Sequence, residues 1–181
     1  MTATVVPSVL DGVDLGGNIL ELGPGYGAGT RSLLSRTGHL TVLERDPQLV
    51  ERLTREFGDA VTAVHGDATA MPWERATFSA VVCFTVLHHL GSSAAQDRLF
   101  AEAARVLKPN GVFAGADSRS RLRFRLMHLG DTCTPIAPAG LAGRLKIAGF
   151  DAPAVRADDR AVRFVARVAD RATPGSPRRS R

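Results

Sequence analysis

Glu21, Glu44 and Asp67 are the residues whose type and placement point to chemistry, because each stands at or just past the end of a short apolar run. The first lies in residues 18–30, NILELGPGYGAGT, where Gly23, Gly25, Gly27 and Gly29 leave a turn bare of side chains that a ligand can approach closely. An apolar strand, a glycine-rich turn and a helix with Leu33 and Leu34 on its apolar side form the layout of nucleotide-type sites. Gly23, Gly25 and Ala28 also satisfy G-x-G-x-x-[GA], with Glu44 about twenty residues on, where a ribose-binding acid belongs. Charge separates the possible ligands. A dinucleotide brings an anionic pyrophosphate, which Glu21 would repel, whereas a ligand carrying a sulfonium and an ammonium would be attracted to it.

Bringing three acids together requires strands that end side by side. Short apolar runs predict strands over 19–22, 40–44, 61–65, 78–84, 112–116, 152–155 and 162–168. Helical spacing predicts a short helix around 7–10 and longer ones over 47–57, 96–107 and 139–148, with Asp46 capping and Pro47 opening the 47–57 helix. Strands alternating with helices argue an α/β fold, a mostly parallel sheet with helices on both faces. Residues 117–138 read as irregular, and Met71-Pro72-Trp73 is expected to pack over the ligand.

The stretch Glu21-Leu22-Gly23-Pro24-Gly25-Tyr26-Gly27 resembles the first motif, E/D-x-G-x-G-x-G, of the class I S-adenosylmethionine-dependent methyltransferases. The likeness continues through LTVLE, Gly66-Asp67-Ala68, Thr85-Val86-Leu87-His88-His89-Leu90 and Leu107-Lys108-Pro109-Asn110-Gly111. The last two blocks are similar to the subgroup of ubiquinone and menaquinone C-methyltransferases, the methyltransferase type 11 domain. The resemblance implies a Rossmann-like seven-stranded sheet with an antiparallel last strand, and S-adenosyl-L-methionine as co-substrate with no metal. It also implies that Glu44 accepts from the ribose hydroxyls, that Asp67 accepts from the adenine amine, and that the Ala68 N–H faces a ring nitrogen. The implied cofactor set is Glu21, Gly23, Gly25, Gly27, Glu44, Arg45, Asp67, Ala68 and Phe84. Taken alone, Glu44 also reads as a charge at a helix N-terminus and Asp67 as a turn residue.

The implied reaction is direct in-line displacement, in which alignment and exclusion of water do most of the work. A base is required only for a poorly acidic acceptor. His88 and His89, after the fourth strand, and His128, within 117–138, are the candidates. Packing against the cofactor or the sheet is the expected role of His88 and His89, while His39 and His65 flank strands and read as structural.

At 181 residues and 44% hydrophobic content the chain suits one domain, 1–169. The segment DRATPGSPRRSR, 170–181, reads as a disordered basic tail that supplies +3 of the net +5 charge. Removing it leaves too little positive charge to argue for nucleic acid. Arg119, Arg121, Arg123 and Arg125 read as a solvated surface, with an anionic-substrate patch as the other reading. Cys83 and Cys133 form neither a disulfide framework nor a metal spacing. No run of eighteen apolar residues and no signal-like start occurs, so a cytoplasmic chain without membrane insertion is expected. The expected function is methyl transfer to a small-molecule acceptor. The alternatives are a phospholipid N-methyltransferase and an rRNA adenine methyltransferase-like enzyme, which lacks support because N-x-P-[YF] is replaced by Cys83-Phe84-Thr85-Val86.

Overall fold

The computed structural model describes residues 6, 8–119 and 134–169. In chain order the elements are β1 (Ile19–Leu22), α1 (Ala28–Leu34), β2 (Leu40–Glu44), α2 (Pro47–Phe57), β3 (Val61–His65), β4 (Phe78–Phe84), α3 (Ser93–Val106), β5 (Leu107–Ser118), α4 (Leu141–Ile147), β6 (Phe150–Ala157) and β7 (Ala161–Val168). The strands form one seven-stranded sheet in the order β3-β2-β1-β4-β5-β7-β6. From β3 to β5 neighbouring strands run parallel, and β7 lies antiparallel to both β5 and β6. Strand order reverses between β1 and β4, and ligands of open α/β sheets bind beyond the carboxyl ends at such a point.

Residue parity sorts the sheet into two faces. Leu20, Leu22, Val81, Cys83 and Phe113 pack with Leu99, Phe100, Ala103 and Val106 of α3 and with Leu141 and Leu145 of α4. Ile19, Val42, Ala80, Val82 and Phe84 pack with Leu33 of α1 and Leu53 of α2. Glu21 shares its parity with Ile19, between Val42 and Val82 of the neighbouring strands. It is therefore an acid on the buried α1/α2 face.

Several boundaries move from those the pattern predicts. Helix α3 begins at Ser93 because the Ser92 side chain accepts from Ala95 N, a cap that precedes the apolar periodicity. It ends at Val106, and β5 begins at once, pairing Leu107 with Phe78 before a register irregularity that ends with Val112 opposite Ala80. Strand β5 continues to Ser118 because β7 pairs with it as far as Ala161, and β6 is likewise longer than 152–155. Residues 8–10 are helical, as expected. Among the described residues, no helix is long and apolar enough to cross a membrane. The expected tail 170–181, Cys133, and Arg121, Arg123 and Arg125 lie outside the described residues.

Candidate functional site

The three acids meet because three parallel strands end in register. Gly23 N donates to Leu43 O and Gly66 N to Glu44 O, which closes the tips of β1, β2 and β3 against one another. Beyond the tips lies a cavity of about 530 Å³, within the size range of small-ligand sites. Its lining includes Glu21, Gly23, Gly25, Glu44, Arg45, Asp67, Ala68, Phe84 and His89.

Glu21 is 2% exposed, and its Oε2 accepts from Thr30 Oγ1 at 2.6 Å. Gly29 has no side chain for a local reason, since a Cβ there would fall on the Glu21 carboxylate. Burial pushes the Glu21 carboxyl up to about 7; the Thr30 hydrogen bond opposes this shift and the neighbouring Glu44 charge adds to it.

Glu44 serves the architecture as well as the cavity. Its Oε1 accepts from Arg45 N at 2.7 Å and Asp46 N at 3.1 Å, and its Oε2 from Gly25 N at 3.0 Å. One carboxylate thus ties the glycine loop to the turn that opens α2. Asp46 caps that helix through Gln48 N, and His65 Nε2 bonds Arg45 O from the tip of β3.

Asp67 Oδ1 accepts from Thr69 N and Thr69 Oγ1 at 2.7 and 2.8 Å. These bonds, the backbone one foremost, hold its carboxyl below the usual range, with Arg45 and Arg98 assisting. Gly27 stands apart from the lining: it is the N-cap of α1 at φ 77°, and a Cβ would meet the Phe57 ring. Its role in the structure is to seat α1 on α2.

The candidate bases separate. His88 is 3% exposed, with Nδ1 2.5 Å from Asp117 Oδ1 and its backbone N donating to Asp117 Oδ2 at 3.1 Å. His89 is exposed, lines the cavity and lies against His88 with ring centroids 4.0 Å apart and the ring planes tilted by 41°. His128 lies outside the described residues. The turn that carries the pair is held twice more, by Gln96 Nε2 donating to Leu87 O and by Thr134 N donating to His88 O. Thr85 opens the turn at φ 60°, a rare conformation for a β-branched residue and a form of strain that gathers at functional sites.

Met71-Pro72-Trp73 does not cover the cavity. Arg105 of α3 donates to Met71 O and Trp73 O, Met71 N donates to Glu102, and Trp73 stands edge-on to Phe78 at 5.1 Å. The Glu102–Arg105 pair therefore pulls that loop down onto α3. Sequence reading missed Asp117, Thr30, Gln96 and Arg105, because their partners are 9 to 34 residues away and no local motif marks them.

The sheet is doubly wound, with carboxylates at adjacent strand tips and a bare glycine loop between them at the switch point, the place where ligands of open α/β sheets bind. Residues 20–115, just over half of the chain, match the Methyltransferase domain family, and the chain belongs to that family. The mycinamicin-resistance protein of Micromonospora griseorubida is 55% identical over 49 residues, 27% of this chain and 16% of that protein. Ribosomal RNA small subunit methyltransferase A of Cupriavidus pinatubonensis is 46% identical over 57 residues, 32% and 20% of the two chains. The matched segments thus span at most a fifth of these two curated relatives. Phosphoethanolamine N-methyltransferase 2 of Haemonchus contortus, solved with S-adenosyl-L-methionine, shares the fold at TM-score 0.76 and 17% identity over 93% of this chain and 52% of that one.

Proposed function

We propose that the chain binds S-adenosyl-L-methionine in the 530 Å³ cavity and transfers its methyl group to a small-molecule acceptor by in-line displacement. The observation that carries this reading is the buried Glu21, a carboxyl lining the cavity with a hydroxyl as its hydrogen-bond partner and another acid, Glu44, as the charge acting on it. Such a floor suits a cationic ligand and repels a pyrophosphate.

The residues fit the group. Glu44 Oε2 keeps acceptor capacity for a ribose hydroxyl after its bond from Gly25 N, whereas Oε1 already accepts from Arg45 N and Asp46 N, and Asp67 Oδ2 is left for an exocyclic amine beside Ala68 N–H. When bound, S-adenosyl-L-methionine supplies a methyl group already activated on a sulfonium. The chain's own contribution is to hold, align and dry the reactants, which is worth up to about 7 to 11 kcal/mol in favourable cases. Thr85, His89 and Leu90 border the end of the cavity that follows β4, where the acceptor would approach. His89 is the base candidate on that side, and His88 serves to support the turn. The two blocks after β4 and before β5 support a place near the quinone C-methyltransferases.

An RNA acceptor is the second reading, favoured by the identity to ribosomal RNA small subunit methyltransferase A. Thr85-Val86, standing where such enzymes carry N-x-P-[YF], supports the small acceptor instead. Calorimetry with S-adenosyl-L-methionine, S-adenosylhomocysteine and NAD tests the cofactor. The first two should bind, and Glu44→Ala should weaken them by about 1.5 to 3 kcal/mol, the scale of hydrogen bonds to a charged group. NAD binding without S-adenosylhomocysteine binding would reverse the reading, and methylation confined to RNA or to phospholipid vesicles in an acceptor screen would reverse the acceptor class.

A further inference from the structure

Glu21 carries an unusual burden for a binding residue. Its carboxyl is 2% exposed, packed against Gly29 and Thr30 of α1 at the cavity wall, and among the described residues one hydroxyl is its hydrogen-bond partner. The charged and titratable groups sharing the cavity are Glu44 from the tip of β2, Arg45 one residue beyond, Asp67 after β3 and His89 after β4. Of these, Glu44 is the one whose charge acts on Glu21, and it is a like charge. Isolated burial and a neighbouring anion both favour the neutral acid.

We propose that Glu21 is held as a neutral acid in the ligand-free protein and gives up its proton when the cationic cofactor enters, so that cofactor capture is proton-coupled. The O–H bond of the acid breaks, the proton passes to buffer, and the carboxylate left behind has the cofactor's positive charge as its counter-ion. This inference rests on the cofactor assignment above and adds its regulation. The carboxyl is raised to about 7, so exchange falls within the working pH range. The cofactor lowers the carboxyl from that value by acting as the missing cation. Below that pH the proton must leave before the charge pair forms, and apparent affinity falls up to tenfold for each pH unit. Above it the site is already ionised and affinity levels off.

The test is calorimetry of S-adenosyl-L-methionine binding to the full chain at pH 6.0 and 8.5, each in two buffers of different ionisation enthalpy. Release of most of one proton at pH 6.0 and almost none at pH 8.5 is expected. Thr30→Val removes the one hydrogen bond that favours the carboxylate, and should carry the release to higher pH without adding bulk. Glu21→Gln should bind more weakly and release no proton. If the wild type binds with no release at pH 6.0, or if Glu21→Gln releases as much as the wild type, the inference falls while the cofactor assignment stands. If neither S-adenosyl-L-methionine nor S-adenosylhomocysteine binds at any pH, the assignment itself falls.

Discussion

Replacing Glu21 by glutamine should make the ligand-free protein more stable at alkaline pH. The carboxyl rises from 4.5 to about 7 on folding because burial disfavours its charge. Its folded pKa lies above the unfolded one, so the folded state holds the proton longer, and stability is lost as pH rises from about 4.5 through about 7. A tenfold difference in proton affinity between the two states is worth about 1.4 kcal/mol, which makes the penalty about 3 kcal/mol at pH 8 and about 1 kcal/mol at pH 5. An amide of the same shape never ionises, and its oxygen can still accept from Thr30 Oγ1. Any fixed effect of the amide is common to both pH values and cancels when they are compared. Glu21→Gln should therefore gain about 2 to 2.5 kcal/mol over wild type between pH 5 and pH 8. In melting temperature that is roughly 5 to 10 °C for a chain of this size. Urea denaturation of both proteins at both pH values measures it. A mutational effect equal at pH 5 and pH 8, or a larger loss at pH 8, would refute the reasoning.

The histidine pair should split on mutation. His88→Gln removes the ring that meets the buried Asp117 and should lower stability by at least about 2 kcal/mol, whereas His89→Gln, at an exposed ring, should change it by less than about 0.5 kcal/mol. Equal melting temperatures for the two variants would show that Asp117 does not depend on His88. Thr85→Gly should raise the melting temperature, because a positive φ strains a β-branched residue and suits glycine, with a gain of about 1 kcal/mol. A loss of stability would mean that the Thr85 side chain, bonded to Phe84 O, matters more than its backbone. Arg105→Ala should free Met71 O and Trp73 O, lowering stability by roughly 1 to 3 kcal/mol and loosening protection of the 66–77 amides in hydrogen exchange.

What the sequence made legible follows one rule: local interactions were readable and distant ones were not. The first four strands end where their apolar runs end, because in a parallel sheet covered on both faces the run itself is the buried element. The glycine loop and the acids at the strand tips were readable for the same reason, since each is set by its own few residues. Strands β5 and β6 outran their apolar cores because β7 supplies pairing that no residue in those strands announces. Met71-Pro72-Trp73 was misplaced because its position is decided by Glu102 and Arg105, 31 and 34 residues beyond Met71. The adjacent histidines looked equivalent in sequence, yet one is buried against Asp117, 29 residues away, and the other lines the cavity. The site follows the same division. Its carboxylates are written in the motifs, but whether one of them stands charged or neutral is set by Thr30, Gly29 and Glu44, which meet Glu21 only once α1 has folded back over β1 and β2 has paired with it. Which carboxyls line the cavity is thus a property of the motifs, whereas the turning of Gly27 onto α2 and the proton proposed for Glu21 are properties of the fold.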